Sequence, residues 1–241
     1  MNIFNVNKKD ISHKTNKPIV YSGDMFGIKS GATGKGVQVA IVGTGLPSYQ
    51  GFNTLHDFDV IVDGSTIDSP YDDVGFSTAL AGFVASNGSC GIYGLAKDTK
   101  ILSLKSFTKK QKINQSIVVA SLLWGIIKDV NIIVMPFEID IEYQPIYSVV
   151  KKAFDRKIII LSVNSPLYEK CNEIFPVIPC PKKNTYGIDL EGHKVFITLP
   201  IKKQITAYGD KSFVSVNRQV ASLGLAAGVM SLLLEKNKNI V

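Results

Sequence analysis

A chain of 241 residues with 45% hydrophobic content is long enough for one domain with a sizeable buried core. Its formal charge of +7 is carried almost wholly by lysine, since Arg156 and Arg218 are its arginines, so the planar guanidinium fork used to read phosphates and bases is nearly missing. The lysines fall in scattered pairs (Lys8-Lys9, Lys109-Lys110, Lys151-Lys152, Lys182-Lys183) without interleaved aromatics, which reads as solvated surface and argues against nucleic acid as a partner.

Cys90, Cys171 and Cys180 are odd in number and lack the spacing of a metal knuckle or redox pair, so structural thiols in a reducing compartment are expected. The opening MNIFNVNKKD has no apolar core for a signal peptide, and no later stretch offers about 18 uninterrupted apolar residues for a membrane span. The expectation is a soluble protein, cytoplasmic or part of an intracellularly assembled particle, without membrane contact.

In chain order, residues 1–20 are polar and aperiodic and read as an arm that wanders or docks elsewhere; residues 21–241 read as one domain. A short helix is expected from Asp24 to Lys29, ended by the glycine-rich Gly31 to Gly36. Val37 to Val42 is an apolar, β-branched run and predicts a buried strand, followed by a sharp turn at Gly43-Thr44-Gly45. That turn does not make a dinucleotide fingerprint, because GTGLPS puts Ser48 where the third glycine is needed and Pro47 where a helix should begin. Phe58 to Val62 predicts a second short strand. A polar loop then leads to DDVGFSTALAGFVAS, a small-residue helix whose Ala79, Ala81, Gly82 and Ala85 allow close backbone approach.

Ile101 to Phe107 reads as a strand, Gln115 to Ile127 as a helix apolar over a broad face, and Asn131 to Met135 as a strand buried on both sides. Pro145 to Asp155 and Ile158 to Val163 repeat the helix-strand rhythm, which predicts a mainly parallel sheet with helices on both faces. From Phe175 onward Pro176, Pro179 and Pro181 and the glycines of Tyr186 to Leu199 suggest hairpins or irregular strands. Asn217 to Lys236 predicts a closing helix without a polar face, hence buried.

Four segments in this order resemble the subtilisin-like serine peptidase family from about Asp24 to Leu234. GKGVQVAIVGTGL resembles the family's first strand and aspartate turn, V-A-V-I-D-T-G. DDVGFSTALAGFVAS resembles its histidine helix, D-x-x-G-H-G-T-H-V-A-G. GIYGLAKDTKILSLKSF resembles G-x-x-G-V-A-P-x-A-x-L-x-x-V-K-V, and VNRQVASLGLAAGVMSLLL resembles the serine helix, G-T-S-M-A-S-P-H-V-A-G. The resemblance implies an α/β, three-layer subtilisin-like fold: a mainly parallel central sheet, helices on both faces and a buried C-terminal helix.

The chemistry is not carried with the fold. The family needs a serine activated by an imidazole that an aspartate orients, but Gly43 stands at the aspartate position, Phe76 at the histidine position and Gln219 at the serine position. Loss of one triad member leaves about 10³ to 10⁴-fold acceleration over water, so three losses imply an inactive relative. Asn164, or Ser165 one residue on, falls where the family has its oxyanion asparagine; a plain turn asparagine is the alternative.

Met135-Pro136-Phe137-Glu138-Ile139 matches M-S-L-G-G, the edge along which substrates lie, and there side chains replace the two glycines while proline removes a donor. His13, His56 and His193 fall away from the triad positions, Ser77 and Ser222 read as packing or capping residues, and Asp72 and Asp73 as caps rather than metal ligands. No cofactor or metal is expected. These readings predict an inactive domain serving as a structural or interaction subunit with other protein subunits. A peptide-binding pseudopeptidase and an active peptidase with relocated residues are the alternatives.

Overall fold

The computed structural model describes residues 11–12, 18–28, 31–47, 51–54, 59–60, 71–89, 91–108, 114–201, 204–209 and 212–237. His13, His56, Cys90, Ser48, both Lys8-Lys9 and Lys109-Lys110, and most of the expected Phe58 to Val62 strand lie outside them. The strands are β1 (Ile11–Ser12), β2 (Ile19–Val20), β3 (Gln38–Gly43), β4 (Asn53–Thr54), β5 (Asp59–Val60), β6 (Ile92–Tyr93), β7 (Lys100–Lys105), β8 (Ile132–Met135), β9 (Ile159–Val163), β10 (Ile174–Pro181), β11 (Gly187–Glu191), β12 (Lys194–Leu199), β13 (Gln204–Gly209) and β14 (Ser212–Val216). The helices are α1 (Phe76–Ala85), α2 (Gln115–Ile127), α3 (Gln144–Asp155) and α4 (Arg218–Lys236).

Nine strands form the main sheet in the order β11-β12-β10-β9-β8-β3-β7-β4, with β5 also on β7. Its pairings are parallel apart from the antiparallel β11-β12 hairpin at one edge. Alternation along β3 explains the layers. Val39 and Ile41 point into one core with α1 and α4, whereas Ala40 and Val42 point into a second core with α2 and α3. The arrangement is the three-layer α/β architecture expected, and α4 is buried from Val220 to Leu232.

Beside the main sheet, the β13-β14 hairpin lies against α1, where the Thr206 hydroxyl donates to the Ala79 carbonyl at 3.0 Å. A Cβ on Gly82 would fall 2.3 Å from Thr206 Oγ1 and 3.0 Å from the Ala207 backbone, so only glycine lets the helix sit this close. All ten residues of α1 are buried as a result. Two short pieces near the N-terminus pair with the domain: β1 with β14, and β2 in parallel with β6.

Two expectations need correction. The helix expected from Asp24 to Lys29 is one 3₁₀ turn, Gly23–Phe26, closed by Gly27 at φ 76°. From Phe175 onward hairpins or irregular strands are expected; β11-β12 is such a hairpin, but β10 is a regular parallel strand inside the sheet. It pairs with β9 over Ile174 to Val177 and with β12 over Val177 to Pro181. Each proline therefore has one neighbour rather than two, and its missing N–H can fall on the unpaired side.

Candidate functional site

The parallel strands place their carboxyl ends at one edge, where ligand sites of open α/β sheets form. Gly43 ends β3 at that edge and Phe76 begins α1. A Cβ built on Gly43 would lie 2.1 Å from the Ser77 hydroxyl oxygen, so the Ser77 side chain occupies the space that any side chain at position 43 would need. Ser77 stands where the histidine-helix motif has glycine. Its hydroxyl accepts from the Thr44 amide at 2.8 Å and lies 3.3 Å from the Thr44 hydroxyl, which in turn accepts from the Ser77 amide at 3.3 Å. Where the family motifs pair an aspartate at the strand end with a glycine in the helix, this chain pairs Gly43 with Ser77, and the result is a buried clasp between strand end and helix start.

Gln219 is the second residue of α4. A Cβ on Gly224 would meet Phe83 Cβ at 2.8 Å and the Leu80 carbonyl at 3.0 Å, while Gly228 abuts Leu95, whose amide bonds the Phe83 carbonyl beyond the end of α1. The two helices thus run in the same direction, and Gln219, five residues before Gly224, stands at the end where Phe76 begins α1. Its Nε2 is buried and has no hydrogen-bond partner among the described residues. Gly43 and the start of α1 at Phe76 and Ser77 meet at one edge of the sheet, and the side chains of Gly43, Phe76 and Gln219 are not general bases.

Asp72 organises the start of α1. Its Oδ1 accepts from the Val74 and Gly75 amides at 3.0 and 2.7 Å, and its Oδ2 from the Thr78 amide and hydroxyl at 2.9 and 2.7 Å. This satisfies orphan donors of the first turn, as the capping reading expects. Asp73 does something else: it pairs with Lys105 Nζ at 3.3 Å. Lys105, whose side chain is 3% exposed, is the register partner of Gly43 and also donates to the Tyr71 carbonyl. Sequence reasoning passed over Lys105, although a lysine inside the apolar run ILSLKSF was the available signal.

The segment matched to the substrate edge is packed rather than open. Met135, Phe137 and Ile139 are core residues under α2 and α3, Pro136 is buried, and Glu138 is exposed. Phe137 meets Phe107 edge to face at 5.6 Å. The Ser162 hydroxyl donates to the Phe137 carbonyl at 3.0 Å, and the Ile139 amide donates to the Tyr168 hydroxyl at 2.8 Å. Burial pushes the Tyr168 phenol above its ordinary pKa, which keeps this group neutral.

Asn164 is exposed at the carboxyl end of β9, and Ser165 is buried with its hydroxyl accepting from the Leu167 amide at 3.2 Å as the cap of a 3₁₀ turn. Ser222 donates back to the Arg218 carbonyl at 2.7 Å. His193 precedes β12 and lines a cavity of about 490 Å³ with Phe154, Ile159, Phe175 and Met230, at the amino ends of β9 and β12. Among the described residues no cluster of three His, Cys, Asp or Glu could hold a metal, and no helix is long and apolar enough to cross a membrane.

With this geometry described, known proteins supply a frame. No family model and no curated protein matches the sequence. Solved structures do match by shape. The chain superposes on one described as S41 Psychrophilic Protease with a TM-score of 0.67 at 15% identity, covering 90% of this chain and 84% of that one. It superposes on Sphericase with a TM-score of 0.68, also at 15% identity and with coverage of 90% and 84%. The fold is therefore that of the subtilisin-like proteases.

Proposed function

We propose that this protein is a catalytically inactive member of the subtilisin-like fold that serves as a structural or interaction subunit of a larger assembly, with other protein subunits as its partners. The observation that carries this reading is the corner between β3 and α1. Ser77 fills the place of an aspartate side chain at position 43, and Phe76 stands where a proton must be moved. Substituting one residue would not rebuild the site, because the space for the orienting carboxylate is already occupied.

Peptide capture in the old groove is less well supported. It needs free backbone along Met135 to Ile139, and there the Phe137 carbonyl and the Ile139 amide are engaged inside the protein. Among the described residues relocated catalysis also lacks a histidine near Ser77, since His193 lies at the opposite sheet edge. Treatment with a fluorophosphonate serine probe and a mixed peptide library should give neither labelling nor cleavage. Labelling abolished by one serine substitution would overturn the inactive reading. Native-abundance co-purification should return stable protein partners, and a protein that is monomeric and alone in its natural source would overturn the assembly reading.

A further inference from the structure

The hairpin between β11 and β12 turns through Gly192 and His193, with Gly192 at φ 59° as a tight hairpin turn requires. Hairpin tips ordinarily hold polar side chains in water. His193 does the reverse: the residue is half-buried, and its Nε2 is shielded from solvent with no hydrogen-bond partner among the described residues. A buried polar atom left unpaired costs free energy, so its place in the fold calls for a cause.

The cavity that His193 lines supplies one. Its volume of about 490 Å³ is that of a small-molecule site, and its walls are apolar: Ile159 and Met230 are buried, Phe175 is half-buried, and Phe154 and Leu190 are exposed at its mouth. The rings of Phe154 and Phe175 and the thioether of Met230 suit an aromatic body. No Lys, Arg, Asp or Glu stands among the described residues that line it, so a charged head would enter without a counter-ion, and a neutral head fits better. The unpaired nitrogen defines that head. A neutral imidazole Nε2 donates in one tautomer and accepts in the other, and a hydroxyl answers both. We infer that the cavity binds a small neutral aromatic alcohol of the phenol class, its hydroxyl on His193 Nε2 and its ring against Phe154, Phe175 and Met230. The site lies apart from the β3-α1 corner, so neither outcome below alters the interaction-subunit reading.

A fixed low concentration of 2-naphthol, titrated with the full chain at neutral pH and followed by the probe's proton NMR signals, tests it. A dissociation constant on the order of 100 μM is expected for a probe of this size. Naphthalene, which lacks the hydroxyl, should bind about fivefold more weakly, and 2-naphthoate, with its charged head, should also bind more weakly than 2-naphthol. His193→Phe keeps a ring and removes the nitrogen. It should lower the affinity for 2-naphthol to that for naphthalene and leave naphthalene unchanged. No binding of 2-naphthol at about 1 mM protein overturns the inference. Equal affinity for 2-naphthol and naphthalene, tighter binding of 2-naphthoate, or indifference of 2-naphthol to His193→Phe in a variant with the parent's unfolding midpoint overturns it as well. The three probes are compared on the parent chain, so the test stands even where the variant does not fold.

Discussion

At the corner where β3 meets α1, Ser77 and Thr44 satisfy each other, Asp72 accepts four hydrogen bonds, and a neighbouring side chain takes up the room left by Gly43. On the outer face of α2, a row of apolar side chains ends in Ile127 with most of its surface in water. The first region is closed and internally paired. The second region leaves the Ile127 side chain open to water. Polar groups satisfied within the protein have little left to offer a substrate, whereas exposed apolar area still gains from being covered. The contrast supports the proposal that this chain works through its surfaces.

The contrast breaks most readily at Gly43. Gly43→Asp should destabilise the protein by about 3 kcal/mol in urea unfolding, from overpacking against Ser77 and burial of a charge. Adding Ser77→Gly should recover a large part of that loss, because it reopens the space. Independent, additive effects would show that the two positions are not coupled across one contact. The same coupling predicts that Gly43→Asp, Phe76→His and Gln219→Ser combined will not hydrolyse peptides while Ser77 remains, and measurable turnover by that variant would contradict the filled-corner reading.

Asp72→Ala comes next, at about 2 kcal/mol, since it leaves the first-turn donors of a buried helix without their acceptor. Asp72→Asn should cost less, because one amide oxygen can still accept. Equal losses for the two variants in urea unfolding would mean that the carboxylate contributes through charge alone. On α2, Ile127→Glu should leave unfolding within about 0.5 kcal/mol of the parent, as expected for a residue most of whose surface is already in water.

Much of this was legible in the sequence because it rests on local pattern. Strand β3, helix α2 and helix α4 announce themselves by apolar periodicity, and Asp72 sits at a helix start where a cap belongs. The glycine at 43 was legible as a loss. Its compensation was not, because Ser77 becomes meaningful only when the helix is laid against the strand end. Lys105 was hidden for a similar reason, its partners Tyr71 and Asp73 being distant in sequence. In β10 the prolines argued correctly against two-sided pairing but could not reveal that each needs only one neighbour. The outer face of α2 was visible as a broad apolar helix, yet which side would stay uncovered depended on where α3 and the sheet came to rest.

Cys171 gives the smallest effect and tests whether the layer beneath α2 is as tightly closed as the corner. The residue is fully buried in the core shared by α2 and α3, and burial, the largest cause, pushes its thiol up to about 11. Because the thiolate is the reactive form, at pH 8 a rise of this size lowers the reactive fraction roughly a hundredfold relative to an ordinary thiol, before access is considered. Alkylation followed by mass spectrometry should therefore modify the partly exposed Cys180 well before Cys171. Comparable rates would mean that the α2-α3 layer opens readily in solution. The layer beneath α2 would then be less firmly closed than the β3-α1 corner.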